Sequence, residues 1–459
     1  MQTLLIPIIP QLPVLLDAPA SDTAWVITAT LLSGAVAVPT MGRLGDMFGK
    51  RRMLIVSLGL LVIGSVIGAL SDSVVPMIVG RAIQGLSAGV IPLGISLMRD
   101  VLPARKLPGS MALMSASLGV GGALGLPAAA LIAEYADWHV LFWAAAALGV
   151  GVTVLVVLVI PDPNTSSGGT FDFGGAVALS VALLALLLAI SKGSAWGWTS
   201  TPTITLCVIA VVSCAFWAWW ELRVAQPLVD LRVSAGRQVL FTNLASIAFG
   251  FAMFANALVI PQVLQLPEST GFGLGQSMLA AGLVMAPSGL VMMSVAPVSS
   301  KITTTKGPKV TLMAGAVLVA VGYGAGVFMM GEVWQLVLVS SVIGAGTGLA
   351  YGAMPALIMG TVPASETAAA NSFNTLMRAL GISFASAIIG VILAQMTVAG
   401  GSGSIPSEGA FRLAMGIAGG AAVVALALAS FLPKFEGVSG SRAGSPVEPQ
   451  ELTRISREV

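Results

Sequence analysis

Three groups of polar residues interrupt an otherwise apolar chain of 459 residues, and each could do electrostatic work. The first, Gly42-Arg43-Leu44-Gly45-Asp46-Met47-Phe48-Gly49-Lys50-Arg51-Arg52, sets one carboxylate among four cations. Asp46 there can pair with a basic residue or cap the end of a neighbouring helix, and the glycines Gly42, Gly45 and Gly49 permit a tight turn between closely packed helices. Such a loop would latch one side of a helical bundle, whereas Lys50, Arg51 and Arg52 taken alone would only mark a cytoplasmic face. The second group, Arg81, Gln84 and Gly85, shares one helical face with Ala88 and Pro92. The third places Asn371, Asn374 and Arg378 at helical spacings of three and four, with Gly381 beyond. A buried arginine costs about 2.5–3.5 kcal/mol at a bilayer centre, so both arginines are expected to face a partner or a watery cavity.

None of these groups is a catalytic constellation. No phosphate loop or nucleophile with its base is present, and His139 is the only histidine. Cys207 and Cys214 lie seven apart in an apolar helix, a spacing that suits packing and does not make a metal site. The expectation is therefore no enzyme, no metal and no cofactor.

The elements that must hold these residues follow from composition. Hydrophobic residues make up 56% of the chain and charged residues 9%, with a mean hydropathy of +0.97; a soluble domain carries roughly 25% charged residues. Uncharged runs of about 20 residues match the ~30 Å hydrocarbon core. In lipid the backbone must satisfy itself within each segment, so continuous apolar runs predict helices. The fold class is an all-α polytopic membrane protein. About fourteen segments are expected, near 1–16, 23–41, 53–70, 76–98, 109–133, 138–160, 174–191, 202–220, 239–265, 275–298, 309–330, 334–359, 370–396 and 410–432; the first, with Pro7, Pro10 and Pro13, reads as incomplete and suggests a true N-terminus further upstream.

With the first segment starting in the cytoplasm, seventeen of the twenty-one lysines and arginines fall on the cytoplasmic side. This bias predicts that both termini are cytoplasmic and that the segment count is even. The net charge of +2 gives no support for nucleic-acid binding. Residues 433–459, rich in Ser, Gly, Pro and Glu, read as a disordered cytoplasmic tail. Sliding the chain over itself by 263 positions aligns Gly85, Gly89 and Pro92 with Gly348, Gly352 and Pro355, and Leu113, Met114 and Ala116 with Leu376, Met377 and Ala379. Two related halves are implied, an arrangement that suits alternating access around a central site.

The 42–52 loop resembles the signature of the major facilitator superfamily, and Arg81-Ala82-Ile83-Gln84-Gly85-Leu86-Ser87-Ala88-Gly89 resembles that family's second signature. Gly119-Val120-Gly121-Gly122-Ala123-Leu124-Gly125-Leu126-Pro127 is similar to the antiporter signature, with Gly121, Gly125 and Pro127 as its marks and Leu126 as a departure from an adjacent Gly-Pro pair. Small residues there would let helices approach closely and the proline would leave a bend. Fourteen segments resemble the drug:proton antiporter branch, which carries two extra helices between two six-helix halves. The resemblance implies an N-terminal half at 1–160, two linker helices with their loops at 161–237 and a C-terminal half at 238–432. It further implies a monomer in the bacterial inner membrane that exports drug-like or small organic molecules, with protons as the coupling partner. A facilitative or uptake permease for a small metabolite is the alternative.

Coupling is where the pattern departs. Exporters of this kind commonly place a carboxylate in the first helix two positions before a threonine, and Thr3 puts Met1 there. None of the nineteen acids falls clearly at the midplane, leaving Asp22, Glu134 and Asp137 as outer candidates. Arg81 and Arg378 are expected to give the cavity a positive character suited to neutral or anionic substrates.

Overall fold

The computed structural model describes residues 8, 12–163, 166, 168–400 and 403–433. Most of the expected first segment, and the tail beyond residue 433, lie outside the described residues; of 1–16, a helical turn at Leu12–Leu15 is described. Thirteen helices among the described residues are long and apolar enough to cross a membrane. They are α1 (Ala20–Phe48), α2 (Lys50–Ala69), α3 (Val74–Val101), α4 (Leu107–Tyr135), α5 (His139–Val159), α6 (Phe173–Trp196) and α7 (Thr201–Glu221). After these come α8 (Arg237–Gln265), α9 (Met278–Lys306), α10 (Pro308–Phe328), α11 (Val333–Met359), α12 (Thr367–Gln395) and α13 (Glu408–Ser430). A short hairpin, Thr397–Gly400 against Gly403–Pro406, joins the last two.

Each helix coincides with an expected segment from the second onward, and the differences lie at the ends. The second segment was expected to stop near residue 41, yet α1 continues to Phe48. Most of the 42–52 stretch is therefore helix. Of the three glycines in this stretch, Gly49 alone takes a positive φ, 103°, and makes the turn into α2.

Side chains sort by solvent. Leu148, Leu158, Val211 and Phe328 are exposed, as a lipid-facing surface requires. Cys207 and Cys214 are also exposed, which corrects their assignment to core packing: they sit on the outer face of α7, where lipid supplies the apolar contact.

The close crossings are made by glycines, among them those that the 263-position shift aligns. Gly85 and Gly89 of α3 rest on Thr30 and Met41 of α1, while Gly348 and Gly352 of α11 rest on Met292 and Ser299 of α9. α4 packs on α9 and α11 as α12 packs on α1 and the second part of α3. α6 touches both α1 and α12, so the pair α6–α7 lies along the seam between them.

Candidate functional site

The polar residues concentrate where the end of α1, the start of α2 and the end of α3 meet the start of α12. Asp46, 1% exposed, is the centre. Its carboxylate accepts from the backbone N–H of Ala368 at 3.1 Å and of Ala369 at 2.8 Å. Those are first-turn amides of α12, which have no partner within their own helix, and the positive end of the helix favours the negative charge. The turn at Gly49 brings Lys50 back beside Asp46, at 3.8 Å. Lys50 Nζ also reaches Asp100 Oδ2 at 2.8 Å and donates to Ala364 O at 3.3 Å, so one buried ammonium holds two carboxylates and the segment leading into α12.

A second tier reinforces the first. Arg99 donates to Val362 O at 3.1 Å and Thr367 Oγ1 at 3.2 Å. Ser96 donates to Thr367 O at 3.1 Å and accepts from Asn371 Nδ2 at 3.3 Å. Gly42 allows the approach: a Cβ there would lie 2.6 Å from Ser372 Cβ and 2.8 Å from Ala368 O. The Ser372 hydroxyl, buried and without a partner, has no other use. Gly42→Ala is therefore expected to part α1 from α12, raising the labelling of a cysteine placed at Ser96 by an impermeant thiol reagent. Adding Ser372→Gly should restore part of the protection, since the Ala368 carbonyl still lies 2.8 Å from the added carbon, and labelling equal to that of the parent protein in the single variant would contradict the account.

The remaining loop residues point elsewhere. Arg51 donates to Val157 O of α5 at 2.8 Å, and Arg52 makes a solvent-exposed pair with Asp162 at 3.8 Å, worth about 0–1 kcal/mol. Arg43 is buried with its Nε lacking a partner and lines a cavity of about 120 Å³ with Asp230 and Glu366.

Several residues expected to line a cavity are instead packed inside. Arg81 and Gln84 are 2% and 3% exposed. The guanidinium donates to Gln84 Oε1 at 2.6 Å and to Val26 O at 3.4 Å, and Gln84 Nε2 donates to Ser65 Oγ at 2.8 Å. This chain of contacts holds the arginine among α1, α2 and α3, and Gly85 lets α3 approach α1 closely beside it. Asn374 is likewise consumed, donating to Asn243 Oδ1 at 2.9 Å and Ser246 Oγ at 2.6 Å of α8. Both Asn243 and Asn256 of α8 are buried, and Asn256 keeps a buried oxygen without a partner. Arg378 is only partly buried, with its guanidinium 4.7 Å from the centre of the Tyr351 ring.

On α4, Gly121 is exposed and nothing lies within 4 Å of a Cβ built there. The close approach expected at Gly121 occurs at Gly119, which faces Met292 of α9; two residues turn the helix by about 200°, which carries Gly121 to the far side. Gly125 is half-buried, and Pro127 packs against Gly282 of α9. The spacings in the sequence did not single out Ser96, Arg99, Asp100 or Thr367, because each acts across helices.

The fold and this tie define a multi-pass helical membrane protein whose early and late helices are fastened on one side. The Major Facilitator Superfamily profile matches residues 1–386, and the chain belongs to that family. An uncharacterized MFS-type transporter of Mycobacterium tuberculosis, Rv1877, is 27% identical over 402 residues, covering 85% of this chain and 57% of that protein. This chain thus spans little more than half the length of that relative. The multidrug resistance protein Stp of the same species is 25% identical over 373 residues, covering 81% of this chain and 68% of Stp. Among solved structures, the human organic anion transporter MFSD10 (TETRAN) superposes with a TM-score of 0.64 at 14% identity, over 93% of this chain and 95% of that one. The proton:xylose symporter XylE follows with a TM-score of 0.60 at 14% identity, over 94% and 92%. At such identities the two structures speak to the fold alone.

Proposed function

We propose that this protein is a secondary transporter that exports small organic molecules by alternating access in exchange for protons, and that the 42–52 stretch is its cytoplasmic latch. The observation that carries this reading is the Asp46 carboxylate on the first amides of α12, more than 320 positions away in sequence. A contact between one negative charge and a helix end can break and reform as a unit, which a gate requires. The multidrug resistance protein among the relatives supports the export direction. On this reading residues 1–160 and 238–432 are the two moving halves, 161–237 carries the linker helices, 433–459 is a tail, and the monomer is the working unit. Seventeen of twenty-one basic residues on one side support a bacterial inner membrane with both termini cytoplasmic.

Arg378 supports a substrate class. It is partly exposed, rests on Tyr351, and among the described residues makes no ion pair. A cation held by an aromatic face and left without a carboxylate suits neutral or anionic molecules. In proteoliposomes with an imposed pH gradient, an anionic dye is expected to be carried in preference to a cationic one. Arg378→Leu should raise the anion's KM about 10- to 100-fold, the loss of one charge-assisted contact. Preference for the cationic dye would discard the substrate class, and flux indifferent to the gradient would favour the facilitative permease.

The outer acids are poor proton carriers. The backbone N–H of His139 and then its ring hold the Asp137 carboxyl below the usual carboxylate range, so it stays ionised near neutral pH. Asp22 is exposed in the first turn of α1, and the side chain of Glu134 lies outside the described residues.

A further inference from the structure

Two carboxyl groups that the latch does not use are buried together at the cytoplasmic ends of α6 and α7. Asp172 is 8% exposed and Glu221 2%. Asp172 Oδ1 caps α6 by accepting from Gly175 N at 2.8 Å and takes a second bond from Trp220 Nε1 at 3.0 Å. Glu221 Oε1 accepts from Trp217 Nε1 at 2.8 Å. One oxygen of each acid, Asp172 Oδ2 and Glu221 Oε2, is buried without a hydrogen bond of good geometry, although the backbone N–H groups of Leu228 and Val229 lie near the Glu221 carboxyl. Gly175 fixes their separation: a Cβ there would sit 2.3 Å from Asp172 Oδ2 and 2.8 Å from Glu221 Oε1, so the two carboxyls approach within roughly 5 Å.

The charged groups around the pair do not neutralise it. Arg223 lies over the Trp219 ring, Arg232 donates to Leu222 O, and Asp230 caps the turn Leu231–Ser234. Beyond the connecting segment, Arg43 of α1 and Glu366 before α12 face the cavity. Among the described residues neither Asp172 nor Glu221 has a basic partner within ion-pair distance. Among the described residues no third His, Cys, Asp or Glu joins the two acids in a group that could hold a metal ion. Two negative charges so placed repel with little water to screen them, and a single proton bound by one acid removes the conflict.

We propose that Asp172 and Glu221 form a proton-binding pair that holds one proton between them, taken from and returned to cytoplasmic water, and that its occupancy governs how residues 224–230 dock. The backbone N–H groups of Leu228 and Val229 face Glu221, and the same residues line the cavity that Arg43 shares with α12. Trp217, bonded to Glu221, also lies against Phe373 of α12 with ring centres 6.4 Å apart. A change of charge at the pair thus reaches the connection and α12 through direct contacts. The site is separate from the Asp46 latch and depends on no reading of the substrate.

The test uses the purified full chain in lipid nanodiscs, without substrate. Infrared difference spectra between acidic and alkaline buffer should show the C=O stretch of a protonated carboxylic acid being lost as pH rises. Tryptophan fluorescence should change with it, since Trp217 and Trp220 donate to the pair. Glu221→Gln should abolish the band while circular dichroism keeps its helical signal. Asp172→Asn, which removes the repelling neighbour, should move the transition to lower pH. The proposal is overturned if the wild type has no such band, or if it persists unchanged in folded Glu221→Gln. It is equally overturned if fluorescence follows added sodium, potassium or magnesium at fixed pH and ignores pH, which would mark a metal-cation site. Should Glu221→Gln fail to fold, the Asp172→Asn transition decides, and an unmoved midpoint sinks the idea.

Discussion

Asp46→Asn is expected to reduce gradient-driven flux by at least about tenfold while leaving the protein folded, because it removes the contact that fastens α12 to α1. The carboxylate accepts from two amides at 3.1 and 2.8 Å, and each hydrogen bond to a charged group contributes about 1.5–3 kcal/mol. An asparagine has one oxygen, and its NH₂ would face the second amide, so one bond becomes donor against donor. The favourable meeting of a negative charge with the helix end, up to about 2 kcal/mol when partly buried, is lost as well. Lys50 would then have lost one of its two carboxylates, though Asp100 remains at 2.8 Å. Since about 1.4 kcal/mol is a tenfold change in an equilibrium, the closed cytoplasmic side should lose at least that factor in population. The check is labelling of a cysteine at Ser96 by an impermeant thiol reagent from the cytoplasmic side, after replacing Cys207 and Cys214. Labelling and flux both equal to those of the parent would mean that Asp46 is a packing residue.

How far such a site can be read from sequence depends on which distances a helix encodes. Spans are legible because lipid makes one demand, length in apolar residues, and all thirteen described helices match expected segments. The misses at the ends have a common cause. α1 runs on to Phe48 and α9 to Lys306, where the residues turn polar because the helix leaves the hydrocarbon, although its backbone bonds persist. Within one helix, spacing rightly groups Arg81 with Gln84, which bond directly. What spacing cannot supply is the element opposite. Arg81 and Asn374 looked cavity-lining because lipid offers polar groups no partner, yet Val26 O, Ser246 and Asn243 meet that requirement inside the packed helices. Asp100 and Asp172 have the same character in the sequence, single acids at helix ends; only the fold gives one an ammonium and leaves the other facing Glu221.

The largest effect on stability is expected from Gly381→Ala, and the comparison with Gly390 in the same helix isolates the reason. A Cβ at Gly381 would lie 2.0 Å from Ile247 O and 2.8 Å from Ile247 C, and on the other side of this crossing a Cβ at Gly250 would lie 2.2 Å from Arg378 O. These obstacles are backbone, which no rotamer change can clear, so α8 and α12 would have to separate by about an ångström along their contact. Alanine favours the helix over glycine by about 1 kcal/mol, while overpacking costs typically 1–3 kcal/mol and more where the neighbour cannot move. Parting these helices also weakens the Asn374 bonds to Asn243 and Ser246, which leaves buried polar groups short of partners at about 1–3 kcal/mol. The clash therefore wins, and Gly381→Ala should lower the thermal unfolding midpoint in detergent by several degrees or abolish folded yield. At Gly390 nothing lies within 4 Å of the added Cβ, so only the propensity gain remains and Gly390→Ala should be neutral or slightly stabilising. Unlike the Gly42→Ala variant, whose added methyl group meets the other side of a movable contact, Gly381→Ala should not be rescued by trimming any side chain. Equal midpoints for the two alanine variants would show that α8 and α12 do not cross this closely in the membrane.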